Sequence, residues 1–421
     1  MHAFRVVITF LVIFTLGGCA STAPTPPPTA SAPPTSAPPT SAPPATPSAV
    51  PASPSPSPSA TPSAVANGWQ RVPDQPAFAG IELRQVVWTG SRFVAAGDIG
   101  VAAPGIADST DGTTWHVQPS LLRNARIRGL AAGPGGVVAV GEHGSVGESW
   151  FSADGTSWTA APGAASLRPD SGDTVRMDGV TPTASGWLAV GEEDAPCTLD
   201  CDGNQVRAIV WTSRDGLHWT RQPDSAALAH ARMASVVRGG PGFVAVGRAP
   251  DHANSAGGAI HAVVWTSTDG RSWSRVPDAP VFHAPAGTDQ QFGDGMEAIA
   301  SSGGRFVAVG SVLSQDVGGS AVAWWSSDGR TWARGRGDGF LNGQMFDVAA
   351  VRGGFLATGP SDGDRCLGGI WSSADGGTWT CVAGDPTFAD GAGIAVAASP
   401  QVEVVVGSVT GAAAIWTRPV P

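Results

Sequence analysis

The feature that most constrains this chain is a heptapeptide that recurs six times. The pattern Ser-x-Asp-Gly-x-x-Trp occupies residues 109–115, 152–158, 213–219, 267–273, 326–332 and 373–379. Asp-Gly favours a tight turn between two strands, because glycine takes positive φ without steric cost. The Ser hydroxyl and the Asp carboxylate can close such a turn by hydrogen bonding to its own backbone. The Trp then buries a large apolar face on the outgoing strand. Four residues before each Asp stands a second tryptophan, at Trp150, Trp211, Trp265, Trp324 and Trp371. The first copy has Ala107 there instead.

Each turn follows an apolar run that closes on a glycine. The first is Phe93-Val94-Ala95-Ala96-Gly97, and the others end at Gly141, Gly191, Gly247, Gly310, Gly359 and Gly407. Each run reads as a strand. Successive glycines lie 44, 50, 56, 63, 49 and 48 positions apart. The shorter spacings are those of one four-stranded propeller blade, about 40–50 residues. The longer ones predict loop insertions in the middle blades. The expected fold is all-β: a seven-bladed β-propeller of four-stranded antiparallel blades.

The last repeat ends at Ile415-Trp416-Thr417 without a turn or a fourth strand. The missing strand stands at the other end of the head. Gly68-Trp69-Gln70-Arg71-Val72-Pro73-Asp74 resembles Ser272-Trp273-Ser274-Arg275-Val276-Pro277-Asp278. An N-terminal strand therefore closes the seventh blade, which removes an open sheet edge. The repeated turn resembles the Asp-box, or BNR repeat, of sialidase-like β-propellers, in a form one residue shorter between Asp and Gly. The resemblance covers residues 67–421. It implies that the boxes are structural and lie on the face away from the ligand site.

The N-terminal part reads differently. An apolar run at 6–16 follows Arg5 and is too short to span a bilayer. It ends in Leu16-Gly17-Gly18-Cys19, which resembles a bacterial lipobox. That resemblance implies cleavage before Cys19, lipidation of its thiol and attachment to the outer side of the cell membrane. Residues 1–18 are then the signal peptide. Residues 19–66 are a Pro/Ser/Thr/Ala-rich spacer that carries no charge, and its composition predicts disorder.

The formal net charge is −10, and all acidic residues lie in the head. This disfavours nucleic acid as a partner. An exported chain permits disulfides. Cys366 and Cys381 flank the sixth turn on strands expected side by side, and Cys197 and Cys201 share one loop. That loop carries Asp200, Asp202 and Asn204 around a glycine, the beginning of a calcium-loop pattern without its later glutamate. No cofactor is expected, and calcium at this loop is the alternative. His143, His230, His252 and His283 fall in loops, unpaired in sequence, which favours solvation over metal binding.

Aligning the blades on the glycine exposes one more row. Fourteen residues before it stand Leu83, Ile127, Met177, Met233, Met296, Met345 and Gly393, an apolar set that reads as inter-blade core. Immediately before these stand Arg126, Arg176 and Arg232 on three adjacent blades, and two positions further on stand Arg84 and Arg128. These arginines open the innermost strands. They could fork onto a carboxylate, sulfate or phosphate, or pair with neighbouring carboxylates such as Asp178 and Glu297.

Sialidases use a tyrosine nucleophile, and this chain has no tyrosine. The sequence reading is a lipid-anchored binding or scaffold module, monomeric, whose ligand is a wall glycan, an anionic small molecule or another exported protein. The alternative is a glycoside hydrolase or polysaccharide lyase using Asp178 and Glu297 as an acid/base pair.

Overall fold

The computed structural model describes residues 68–420, apart from 100–102, 119–124, 171–173, 195–205, 251–259, 285–293, 315–317, 362–365, 383–385 and 389–390. Seven antiparallel sheets form a propeller ring. The innermost strands of blades 1 to 7 are Ile81–Trp88, Ala125–Gly133, Thr174–Pro182, Arg232–Gly239, Asp294–Ser302, Asp347–Val351 and Gly391–Ala398. Each touches the innermost strand of the next blade, and the seventh touches the first. One apolar core fills each of the seven gaps between neighbouring blades.

The seventh blade is closed as the sequence predicts. Gln70–Arg71 pairs with Ala412–Pro419, with Gln70 opposite Thr417 and Arg71 opposite Trp416. Blade 4 shows the same register, with Ser274 opposite Thr266 and Arg275 opposite Trp265. Trp69 is fully buried, edge-on to Phe388 at 5.7 Å.

All six boxes share one hydrogen-bond scheme. In the second, the Ser152 hydroxyl accepts the Gly155 N–H at 2.8 Å and donates to Asp154 Oδ1 at 3.1 Å. The same oxygen accepts the N–H groups of Thr156 and Ser157 at 2.8 and 2.9 Å. In five boxes the indole donates to the glycine carbonyl, as Trp379 does to Gly376 at 2.9 Å. Trp158 is the exception, and its indole nitrogen has no partner. Backbone N–H groups of Thr331 and Arg330 hold the Asp328 carboxyl down to about 2. Three orphan donors per turn are thus satisfied by two short side chains.

The glycine row differs from its sequence reading. In six blades the glycine does not end its strand: Gly141, for example, lies inside Gly136–His143, and Gly191 inside Trp187–Asp194. Its reason is a close backbone approach. A Cβ on Gly141 would sit 1.8 Å from the Arg126 carbonyl oxygen, and one on Gly191 would sit 2.0 Å from that of Arg176. The approach accompanies a bulge in the inner strand, where pairing slips between Ile127 and Gly129 in blade 2 and between Met177 and Gly179 in blade 3. The methionine row, Met177 to Met345, is buried as expected.

The second tryptophan row is also buried, and in four blades the indole at this position ties the blade to the segment that precedes it, whereas the Trp150 and Trp371 indole nitrogens have no partner among the described residues. Trp211 donates to Ser166 O, Trp265 to Ala227 O, Trp324 to Val281 O and Trp416 to Thr387 O. The accepting carbonyls lie in short turns that also bury Leu167, Leu228, Phe282 and Phe388.

Blade 6 departs from the four-stranded pattern. Arg336–Gly337 adds a fifth, parallel strand outside Thr378–Cys381. The Cys366–Cys381 disulfide is present, with Cα atoms 5.5 Å apart. Cys366 is not on a strand, however. It sits in the turn before Ile370–Ser373, whose strand pairs with that of Cys381. The Cys197–Cys201 pair lies outside the described residues.

The glycine row yields a stability test. Gly191→Ala should lower the free energy of unfolding by about 3 kcal/mol, because the methyl group meets fixed backbone. Gly163→Ala, where a Cβ meets nothing within 4 Å, should change it by under about 0.5 kcal/mol in urea titrations.

Candidate functional site

The box turns follow the third strand of each blade, at the end where the second strand begins. The inner strand begins at the opposite end, beside the end of the second strand: Arg126 pairs with Glu142 in blade 2, and Arg176 with Glu192 in blade 3. The charged residues of the inner strands therefore gather on the ring face away from the boxes. The bulge selects which of them are presented. Arg84, Arg128, Asp178 and Glu297 are the inserted residues of their bulges, released from strand pairing.

These side chains form ion pairs on blades 1 to 5, and pairs cross the gaps from blade 2 to 3, 3 to 4 and 4 to 5. Arg84 contacts Glu82 at 2.7 Å and Asp98 at 3.3 Å. Arg128 grips Glu142 with two nitrogens and lies 3.8 Å from Asp178 of the next blade. Arg176 pairs with Glu192, and Arg232 of blade 4 reaches back to the same carboxylate at 3.1 Å and to Asp194 at 3.4 Å. Arg248 completes the arc with Glu297 at 3.0 Å.

Arg126 differs from the other arginines. It is exposed and has no ion pair among the described residues. It lies near enough to Asp98 to pull that carboxyl down, against burial, which pushes it up further.

Burial also raises the Asp178 carboxyl above its ordinary range, although Arg128 and Arg176 pull it down. Burial lowers Arg176 and Arg232. On blades 6 and 7 the arc is uncharged: Gln344 and Phe346 stand on one, Ala392 and Ile394 on the other, and Phe346 is 38% exposed.

Sequence reasoning names Asp178 and Glu297 as neighbours and misses the other pairing partners. Glu142, Glu192, Asp98 and Arg248 each directly follow a row glycine. That position is a legible signal once the second strand is known to run past the glycine.

The histidines are not uniformly in loops. His143 ends the strand Gly136–His143. His283 bonds Asp278 at 2.8 Å and stacks on His261 at 4.8 Å. His252 and the calcium candidates Asp200, Asp202 and Asn204 lie outside the described residues. Among the described residues no cluster of His, Cys, Asp and Glu could hold a metal ion, and no helix is long and apolar enough to cross a membrane.

No family model matches the chain, and no curated protein matches it. Solved structures resemble it in fold alone. Trypanosoma rangeli sialidase is 12% identical, with a TM-score of 0.44, over 80% of this chain and 54% of its own. Pyrococcus horikoshii acylaminoacyl peptidase is 9% identical, with a TM-score of 0.48, over 82% and 53%. Phage phi92 endosialidase is 11% identical, with a TM-score of 0.44, over 85% and 69%. The chain thus spans about half the length of the sialidase and the peptidase.

Next to Phe346, the Asp347 carboxyl accepts the N–H groups of Val348 at 2.8 Å and Val396 of blade 7 at 2.9 Å. Burial pushes it from 3.8 up to about 6. The folded state therefore keeps a proton that the unfolded chain releases, so this group's contribution falls as pH rises from 3.8 to 6. The stability of the wild type relative to Asp347→Asn should fall between about pH 4 and pH 7, by up to about 3 kcal/mol. Urea titrations of both proteins at the two pH values would measure it. A constant difference would show that the carboxyl titrates normally.

Proposed function

We propose that this chain is an exported, lipid-anchored binding protein whose propeller takes an anionic group at the face opposite the boxes. Arg126 carries the reading. It is the one rim arginine that is exposed and without an ion pair among the described residues, and a ligand carboxylate, sulfate or phosphate would supply what its neighbours obtain from Glu142, Glu192 or Glu297. A guanidinium stays charged at any relevant pH and forks onto such groups. Arg128, Arg176, Arg232 and Arg84 then frame the site, each held by carboxylates. The ligand is a wall glycan, an anionic small molecule or another exported protein.

The anchoring half of the proposal rests on Leu16-Gly17-Gly18-Cys19 and on the uncharged Pro/Ser/Thr/Ala spacer at 19–66.

A second reading, hydrolysis or lyase chemistry on a polysaccharide, has one observation in its favour. Asp178 is a partly buried carboxyl raised above its ordinary range, as a general acid requires. Its suggested partner Glu297 is engaged by Arg248. Turnover of any member of a polysaccharide panel, abolished by Asp178→Asn, would establish that reading instead.

Arg126→Ala should weaken binding of an acidic sugar or phosphate found by calorimetric screening at least tenfold, with stability changed by under about 0.5 kcal/mol. Arg176→Ala should cost about 1–3 kcal/mol of stability, since it strips a partner from the buried Glu192. Failure of the wild type to bind any anion would reduce the arc to ring structure.

Anchoring has its own test. A palmitate analogue fed to cells should label the wild type and not Cys19→Ser. Label surviving that substitution would remove the anchor.

A further inference from the structure

The inner-strand bulges set one side chain per blade at a common register on the face opposite the boxes. The inserted residues are Arg84, Arg128, Asp178, Ala234 and Glu297 on blades 1 to 5, and Ile394 on blade 7. Blade 6 repeats the geometry. A Cβ on Gly359 would sit 1.9 Å from the Gln344 carbonyl oxygen, the Phe346 N–H donates to Thr358 O at 2.7 Å, and Asp347 pairs with Thr358. Phe346 is therefore the residue that the sixth bulge turns out of the ladder.

This ring of inserted side chains is divided. Blades 1, 2, 3 and 5 carry charge there, whereas the two large apolar members, Phe346 and Ile394, stand on adjacent blades. Ile394 is half-buried and Phe346 is exposed. The fold does not require an aromatic ring at this register, since Ala234 serves blade 4 and ion-paired residues serve four others. One further large apolar side chain is exposed among the described residues, Leu341, and it stands on the same segment. That segment is pinned: Leu341 bridges to Ser320 of blade 5, Gly343 bridges to Ser361 of blade 6, and Asn342 between them takes φ of 59°.

The apolar pair and Arg126 share one face of a narrow ring. Neighbouring inner strands come so close that a Cβ on Gly129 would meet the Asp178 carbonyl oxygen at 2.7 Å. Seven strands spaced by at most about 10 Å, the separation of packed sheets, leave those of blades 2 and 6 within about 22 Å of each other. That span, less the reach of an arginine and a phenylalanine side chain, is the length of a small organic molecule. We propose that the ligand is a small amphipathic anion. Its carboxylate, phosphate or sulfate meets Arg126, and an aryl or alkyl arm joined to it packs on Phe346 and Ile394. This ligand class rests on the anion reading of Arg126 and adds a role for the uncharged blades. A wholly hydrophilic anion leaves the Phe346 ring in water, whereas an apolar arm removes both surfaces from it.

Calorimetric titration of the full-length chain with acetate, phenylacetate and phenylbutyrate reads the two halves of the site. At least one phenyl acid should bind about tenfold tighter than acetate, or more, as removal of a ring from water implies. Phe346→Ala should bring that ratio below about twofold, and Leu341→Ala, outside the site, should leave it unchanged. Arg126→Ala should weaken the phenyl acids to the level of neutral phenylacetamide. Acetate binding with no gain for either phenyl acid would overturn the proposal and leave the anion reading standing. So would failure of all three acids to bind a chain that still takes an acidic sugar or phosphate. A gain that survives Phe346→Ala, or that vanishes in Leu341→Ala, would place the apolar contact elsewhere and overturn the proposal. Failure to bind any anion would remove both readings.

Discussion

The approach of an inner-strand carbonyl to a second-strand glycine is the contact on which most of this structure depends. At 1.8–2.0 Å from a would-be Cβ, it admits no other residue type in any blade. The same contact accompanies the bulge that inserts one residue into the inner strand. That inserted residue is Arg84, Arg128, Asp178 or Glu297 in blades 1, 2, 3 and 5. Fold and candidate site therefore share one cause: the glycine permits the bulge, and the bulge turns a side chain out of the ladder.

The box and the two tryptophan rows do a different job. Short outer strands, two residues long in five of the blades, contribute few ladder hydrogen bonds. The box compensates by satisfying its turn donors locally, and by placing a glycine where the neighbouring blade leaves no room for a side chain. Buried indoles then tie blade to linker through single hydrogen bonds. Each element thus serves the gap between two blades, where the seven cores lie, more than the blade to which it belongs.

Charge on the opposite face is nearly compensated, and this shapes what the face can do. Carboxylates with low exposure, such as Glu142 and Glu192, hold arginines in fixed directions. Removing either partner leaves a buried charge uncompensated, so most of the arc is rigid by necessity. A ligand would have to recruit a group that the arc does not already satisfy. Arg126 meets that condition on the charged side, and Phe346 presents an exposed ring on the uncharged blades.

The sequence by itself determined the blade count, the turn chemistry and the closing role of Trp69-Gln70-Arg71, because each depends on local residue pattern repeated at blade spacing. It also placed Arg126, Arg176 and Arg232 in one register. Which carboxylates meet them was decided only in the tertiary structure. Glu192 serves arginines from two blades, and no spacing in one chain encodes a contact across a blade gap. The reason for the glycine row was hidden for the same cause, since a carbonyl fifteen residues earlier excludes the side chain. The extra strand at Arg336–Gly337 and the position of Cys366 in a turn likewise follow from how blade 6 packs, and no repeat of the pattern announces them.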